Sequence, residues 1–225
     1  MQEGLRAVRV WDLPTRIFHW LLAACVIASV VSAKIGGNAM AWHFRIGYVV
    51  FTLLAFRLVW GLVGGRWSRF SSFVYAPATT LRYLRGASRD DEHHDVGHSP
   101  LGALSVFGLL AVLAAQVGTG LFADDDISNT GPLIKLVSSA TSGLLTGWHK
   151  SFGQWLVIGL AVLHVAAVLV YLRRKKNLVR PMWSGDKLLP ASVPAARDQP
   201  RTRALALVVA AMCATLVTWI VQLGG

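Results

Sequence analysis

Cysteine is nearly absent from this 225-residue sequence: only Cys25 and Cys213 occur, far apart and each inside an apolar run. That excludes a disulfide scaffold, and with no C-x-x-C-H anywhere it also excludes covalently attached c-type haem. The two thiols read as small apolar packing residues. Acidic residues are scarce as well, 11 Asp and Glu against 22 Lys and Arg, for a formal net charge of +11. Charged residues make up 15% of the chain and hydrophobic ones 54%, with a mean hydropathy of +0.52. In a soluble protein such basicity would suggest nucleic acid. Here the apolar residues come in long blocks with the cations between them, which argues against nucleic acid and for a membrane protein whose basic loops face anionic lipid. The opening MQEGLRAVRVWDLPTR is charged and aromatic and lacks an A-x-A-like end, so it does not read as a cleaved signal peptide.

A helix needs roughly 20 apolar residues to cross the hydrocarbon, and five stretches qualify or nearly so. They run over 17–33, 44–63, 101–123, 152–172 and 204–223, predicting an all-α transmembrane bundle. Between them lie a short 34–42 turn, a long 64–100 loop, an acidic loop opening with Asp124, Asp125 and Asp126, and a basic stretch over 173–203. Arg6, Arg9 and Arg16 precede the first span, five arginines from Arg66 to Arg89 follow the second, and nine Lys and Arg from Arg173 to Arg203 follow the fourth. The other side has little beyond Lys34 and Lys135 in its loops. Five alternating helices put all three basic segments on one face, which predicts a cytoplasmic N-terminus and a periplasmic C-terminus. Trp20, Trp42, Trp60, Trp148 and Trp155 fall near helix ends, as an interfacial aromatic belt would.

Four of the seven histidines sit in or at these spans, where ionisable residues are costly and usually functional. His19 is one turn inside the first helix at its inner end, and His43 opens the second on the outer side. His149 opens the fourth on the outer side, with His164 towards its inner end. Depth sorts them into an outer pair, His43 with His149, and an inner pair, His19 with His164. His149 and His164 are 15 residues apart, about 22 Å of rise and about 60° of rotation, so one helix would serve two stacked sites. Two imidazoles at one depth on facing helices are what a b-type haem between helices requires, and the pattern supplies this twice.

Two details bear on that reading. Gly47 and Gly153 each lie four residues after an outer histidine, either leaving room for a porphyrin beside it or serving close helix packing. Arg57 falls 14 residues after His43, level with the inner pair, where it would meet a haem propionate or snorkel to the inner headgroups. Arg16, Arg45 and Lys150 are further propionate candidates. His93 and His94 sit in an acidic loop and read as solvated, and His98 precedes Ser99 as N-cap and Pro100 as first helical residue. Zinc sites favour closer clusters with cysteine or carboxylate ligands, and a proton path would include Asp or Glu, which the spans lack.

The stretch VRVWDLPTRIFHW at 8–20 resembles the opening of the prokaryotic cytochrome b561 family, which includes the b-type cytochrome subunits of nickel-iron hydrogenases. His43–Gly47 with RLVWG at 57–61, GHSPLGA at 97–103, His149, His164 and NLVRPMWSG at 177–185 extend the likeness in family order over about 8–187. The resemblance implies a four-helix di-haem core over 1–187, with His19, His43, His149 and His164 as iron ligands. Residues 188–225 then form a linker and an additional fifth helix, a departure from the minimal four-helix member.

A bis-histidine iron has no open position, which favours outer-sphere electron transfer over oxygen activation. The expected activity is electron relay through two haem b groups between the quinone pool of a respiratory chain and a periplasmic partner. That partner would be a cytochrome c or a dehydrogenase- or hydrogenase-like subunit, at a bacterial inner membrane. The alternative is a stand-alone superoxide:quinone oxidoreductase, with Lys34, Arg45 and Lys150 attracting the anion. A non-redox membrane anchor, with the histidines in interhelical hydrogen bonds, is the third reading.

Overall fold

The computed structural model describes residues 4–87 and 96–224; His93 and His94, expected to be solvated, lie outside them. The regular elements of the described chain are helices apart from two short strands. In order it forms β1 (Leu5–Arg9), α1 (Leu13–Ile35), α2 (Ala39–Val63), α3 (Pro77–Leu84), α4 (Pro100–Gly120), α5 (Ser139–Trp148), a π-helical turn (His149–Gly153), α6 (Gln154–Arg173), α7 (Val179–Ser184), β2 (Asp186–Pro190) and α8 (Pro200–Gln222). Five helical runs are long and apolar enough to cross a membrane: α1, α2, α4, the continuous Ser139–Arg173 and α8. Their outer surfaces carry large apolar side chains, among them Leu207 and Met212, 73% and 67% exposed. In water that would be unfavourable, whereas hydrocarbon solvates it. The expected all-α transmembrane fold is present.

Local signals set several ends. Asp12 accepts from the Thr15 N–H (2.9 Å), the N-cap geometry that opens α1. Ser99 accepts from the Gly102 N–H (3.3 Å) and Pro100 opens α4, as the sequence predicts. The turn from α1 to α2 uses Gly36 and Gly37, both with positive φ (68° and 52°), a conformation glycine adopts without steric cost.

The chain divides into two compact units. Unit 1 gathers Met1–Ile17, Leu58–Gly108 and Leu163–Leu207, and therefore all three basic segments. β1 pairs antiparallel with β2, Leu5 opposite Pro190 and Arg9 opposite Asp186. Behind this ribbon Val8, Val10, Trp11, Val96 and Val193 form a buried cluster. Arg9 bonds Asp186 (2.9 Å) and Asp198 (3.1 Å), and Asp198 also accepts from the Leu13 N–H (3.2 Å) and from Arg203 (3.0 Å). Burial would raise the Asp198 carboxyl, but hydrogen bonds from Arg203 and Leu13 and the charges of Arg203 and Arg9 outweigh it and hold the group below the usual carboxylate range.

The other fixed point of unit 1 is Asp12, fully buried. Its carboxylate accepts from Trp60 Nε1 (3.3 Å), the Gly65 N–H (3.0 Å) and Ser68 Oγ (2.9 Å), and Ser68 in turn accepts from Thr15 Oγ1 (2.8 Å). A Cβ at Gly65 would collide with Asp12 Oδ2, so only glycine lets the backbone come this close. Trp60 is 0% exposed, which corrects its assignment to the interfacial belt: its indole N–H is needed inside, by Asp12.

Unit 2 gathers Phe18–Arg57, Leu109–Val162 and Val208–Gly225. Its core is Val50 and Leu54 of α2, Leu113 of α4 and Val157 of α6, with Leu22, Cys25 and Val26 of α1 packed against them. Cys25 and Cys213 are free thiols, half-buried and buried, in keeping with a packing role.

Two expected boundaries shift. His149 does not open the fourth spanning helix. Ser138 caps α5 through the Thr141 N–H, and the helix has run for ten residues before His149. The 64–100 loop also contains a helix, α3, opened by Pro77.

Candidate haem site

Unit 2 brings His43 of α2 and His149 of the π-helical turn together, with ring centres 5.9 Å apart and planes at 86°. Each ring is held by its Nδ1 on a main-chain carbonyl: His43 on Ser29 O of α1 (2.9 Å) and His149 on Gln116 O of α4 (2.9 Å). A carbonyl only accepts, so both Nδ1 atoms carry the proton and both Nε2 atoms are left with a lone pair for a metal. Two imidazoles on opposite sides of one metal, each bond about 2 Å long, have ring centres about 6 Å apart, and the observed spacing matches.

Beside the pair lies a cavity of about 300 Å³, lined mainly by apolar side chains such as Val26, Val50, Leu113 and Val157, with Gly47 and Gly120 on its wall. A Cβ at Gly47 would meet nothing within 4 Å, so of the two readings open space next to His43 holds here and close helix packing does not. Gly153 does not do the same beside His149: its Cβ position is taken by Gln116 Oε1 and the Trp148 ring. The four-residue spacing fails there because His149–Gly153 is a π turn, in which the α-helical face relation no longer holds. Gly120 takes that role instead. A Cβ there would lie 3.0 Å from His149 Cε1, so the missing side chain is what seats the ring. The residues present fit a b-type haem: two fixed imidazoles, an apolar cavity and glycines beside each histidine. Among the described residues no group of three or more His, Cys, Asp or Glu is placed to hold a metal ion.

The remaining expected residues are placed as follows. His19 lies in unit 2, half-buried, its ring edge-on to Trp20 at 5.0 Å; His164 lies half-buried in unit 1. Arg57 belongs to unit 2 and is 3% exposed. Arg16, in unit 1, donates to Trp183 O (2.5 Å). Arg45 sits over the Trp42 ring (5.1 Å), and Lys150 lies 3.7 Å from Asp126. His98, ordinary by sequence, is wedged between Trp11 (4.7 Å) and Phe73 (4.5 Å) in unit 1.

Sequence reasoning missed Gln116 and Gly120. A glutamine in the middle of an apolar run was the available signal, since polar groups at membrane depth need a partner.

A family model described as prokaryotic cytochrome b561 matches residues 10–185. The chain is 24% identical over 190 residues to the probable Ni/Fe-hydrogenase 1 B-type cytochrome subunit of Escherichia coli (strain K12), covering 69% of this chain and 80% of that protein. Probable Ni/Fe-hydrogenase B-type cytochrome subunits of Cupriavidus necator and Azotobacter vinelandii are each 26% identical, over 219 and 225 residues. These two alignments cover 81% and 83% of this chain, and 88% and 92% of the relatives. No solved structure matches. The matched segment runs from the strand end before α1 to the end of α7, takes in all four membrane histidines and leaves α8 outside, and over that length the chain belongs to the prokaryotic cytochrome b561 family, as a multi-pass membrane cytochrome b of electron transfer.

Proposed function

We propose that this chain relays electrons between the quinone pool and a redox partner on the periplasmic side of the bacterial inner membrane, holding two b-type haems with two histidines each. The observation that carries the proposal is the His43–His149 pair, both rings tied by Nδ1 to carbonyls and centred 5.9 Å apart. His19 with His164 forms the second pair; its support is the sequence, which puts both at one depth. Haem iron, when bound, supplies a one-electron ferrous–ferric couple. The chain's own part is to fix the tautomer and aim of each imidazole, to keep water from the apolar cavity, and to leave no coordination position for a substrate. Arg57, buried in α2, offers charge compensation for a propionate, with Arg16, Arg45 and Lys150 as further cations. The names of the relatives favour a hydrogenase-like subunit as the partner.

Lys34 stacks over Trp155 (5.4 Å), Arg45 over Trp42, and Lys150 lies 3.7 Å from Asp126, contacts that leave Lys34 and Arg45 cationic. Superoxide-dependent quinone reduction by the purified chain without partners would favour the alternative, a superoxide:quinone oxidoreductase, over the relay. A pyridine haemochrome assay on the purified chain is expected to return two haems per polypeptide, and a value of one would remove the second pair. The gathering of the basic segments in unit 1 supports a cytoplasmic placement for that end. A reporter fused after Gly225 should therefore behave as periplasmic and one inserted at Lys187 as cytoplasmic. The same compartment for both would mean that α8 does not cross.

A further inference from the structure

The π turn at His149 raises a question that ligation alone does not answer, namely what holds a widened helical turn in place beside a cavity. α-Helices adopt such turns where something interrupts the ladder of main-chain bonds, and they recur at functional sites. Here a side chain from another helix bonds into that ladder, beside Ser151 of the turn itself, whose hydroxyl donates to Gly147 O. Gln116 Nε2 of α4 donates to the main-chain oxygen of His149 (3.0 Å), while Gln116's own carbonyl accepts from the same residue's Nδ1–H (2.9 Å). One residue thus grips His149 at both ends, backbone and ring. Its neighbours complete the seat. Thr119 Oγ1 lies 3.3 Å from the same Nδ1, and Gly120 leaves the space the ring occupies. Among the described residues Gln116 Oε1 is buried without a hydrogen-bond partner, which is destabilising for a polar atom in such a place. An apolar side chain of the same length would avoid that cost, so stability alone does not account for glutamine here.

We propose that Gln116 is the positioning residue of the His43–His149 haem: its side-chain amide holds the π turn open and so sets the plane of the His149 imidazole, whose tautomer the Gln116 main-chain carbonyl fixes. The proposal rests on that pair ligating a haem. Among the described residues the hydrogen bond on the His43 ring is the one to the Ser29 carbonyl. Orientation on this haem is therefore set mainly from the His149 side.

The test is Gln116→Met, which keeps length and volume, removes both amide atoms and with them the orphaned oxygen, and so spares the fold. Gln116→Glu, which keeps acceptors but has no amide donor, serves as the second variant. Electron paramagnetic resonance of the oxidised protein reports the angle between axial imidazole planes for each haem separately. Both variants should shift the low-spin signal of one haem, leave the other unchanged, and speed haem loss from the affected site to apomyoglobin by roughly 10-fold, the lower end of the scale for losing a contact that orients a ligand, since the ring's own bond to the Gln116 main-chain carbonyl is kept. Wild-type protein without the His43–His149 signal would overturn the haem assignment itself. Wild-type protein with both signals, but variants in which neither moves or both move alike, would overturn the role of Gln116 while leaving the ligands in place.

Discussion

Replacing His43 or His149 by leucine is expected to remove one haem per chain and leave the other with a near-native spectrum and potential. Both rings are aimed by carbonyls on α1 and α4, so a leucine leaves one imaged half-site with a single imidazole. A haem held on one face only dissociates or turns high-spin. The double variant His43→Leu/His149→Leu should lose the same spectral component as either single one, because the two residues act on one group. His19→Leu and His164→Leu should together deplete the other component. Haem stoichiometry and the reduced-minus-oxidised spectrum decide this. Depletion of one shared component by His19→Leu and His43→Leu would mean that the ligands pair otherwise than proposed.

The second large effect is expected at Asp12, remote from any ligand. Asp12→Ala would strand Trp60 Nε1, the Gly65 N–H and Ser68 Oγ in a fully buried place and remove the cap of α1. Each buried donor left unsatisfied costs about 1–3 kcal/mol, so stranding three is on the order of 10 °C in melting temperature for a chain of this size. Thermal unfolding in detergent should show that drop, with the His43–His149 haem still present below the transition. A melting temperature within about 2 °C of wild type would show that the knot contributes nothing.

Much of this architecture is legible in the sequence because a bilayer imposes a simple rule: backbone polar groups must be satisfied within long apolar helices. The five spans follow from it, and the matched depth of His43 and His149 within them anticipates that the two rings meet. What escaped reading depends on contacts that no local pattern encodes. Ser139–Trp148 (SATSGLLTGW) is rich in small and polar residues, so the apolar window opens near Phe152, and the helix carrying His149 appeared to start ten residues late. β1 and β2 carry little strand signal of their own (LRAVR and DKLLP); each becomes a strand only by meeting the other. Trp60 lies at a helix end, where tryptophan is ordinarily interfacial, and only the position of Asp12 makes it internal. At Gly153 the close-packing alternative is the one that holds, because the π turn sets it against Gln116, 37 residues earlier in the sequence.

The bonds that close unit 1 also impose a timetable on synthesis. Leu13 and Arg9 are held by Asp198, and Leu5 by Pro190, each across 185 residues or more. A ribosome adding about 5–20 residues per second releases α1 many seconds before its tether exists. During that interval the start of α1 has its cap but neither its strand partner nor its salt bridges, while the parts of unit 2 between α1 and α6 are already complete in sequence. The seat for His43 and His149 is therefore finished, and able to take up its group, before the two ends of the chain are joined. Joining them registers that translation has passed residue 198, so a polypeptide cut short at the end of α7 would carry all four histidines and still leave β1 without a partner.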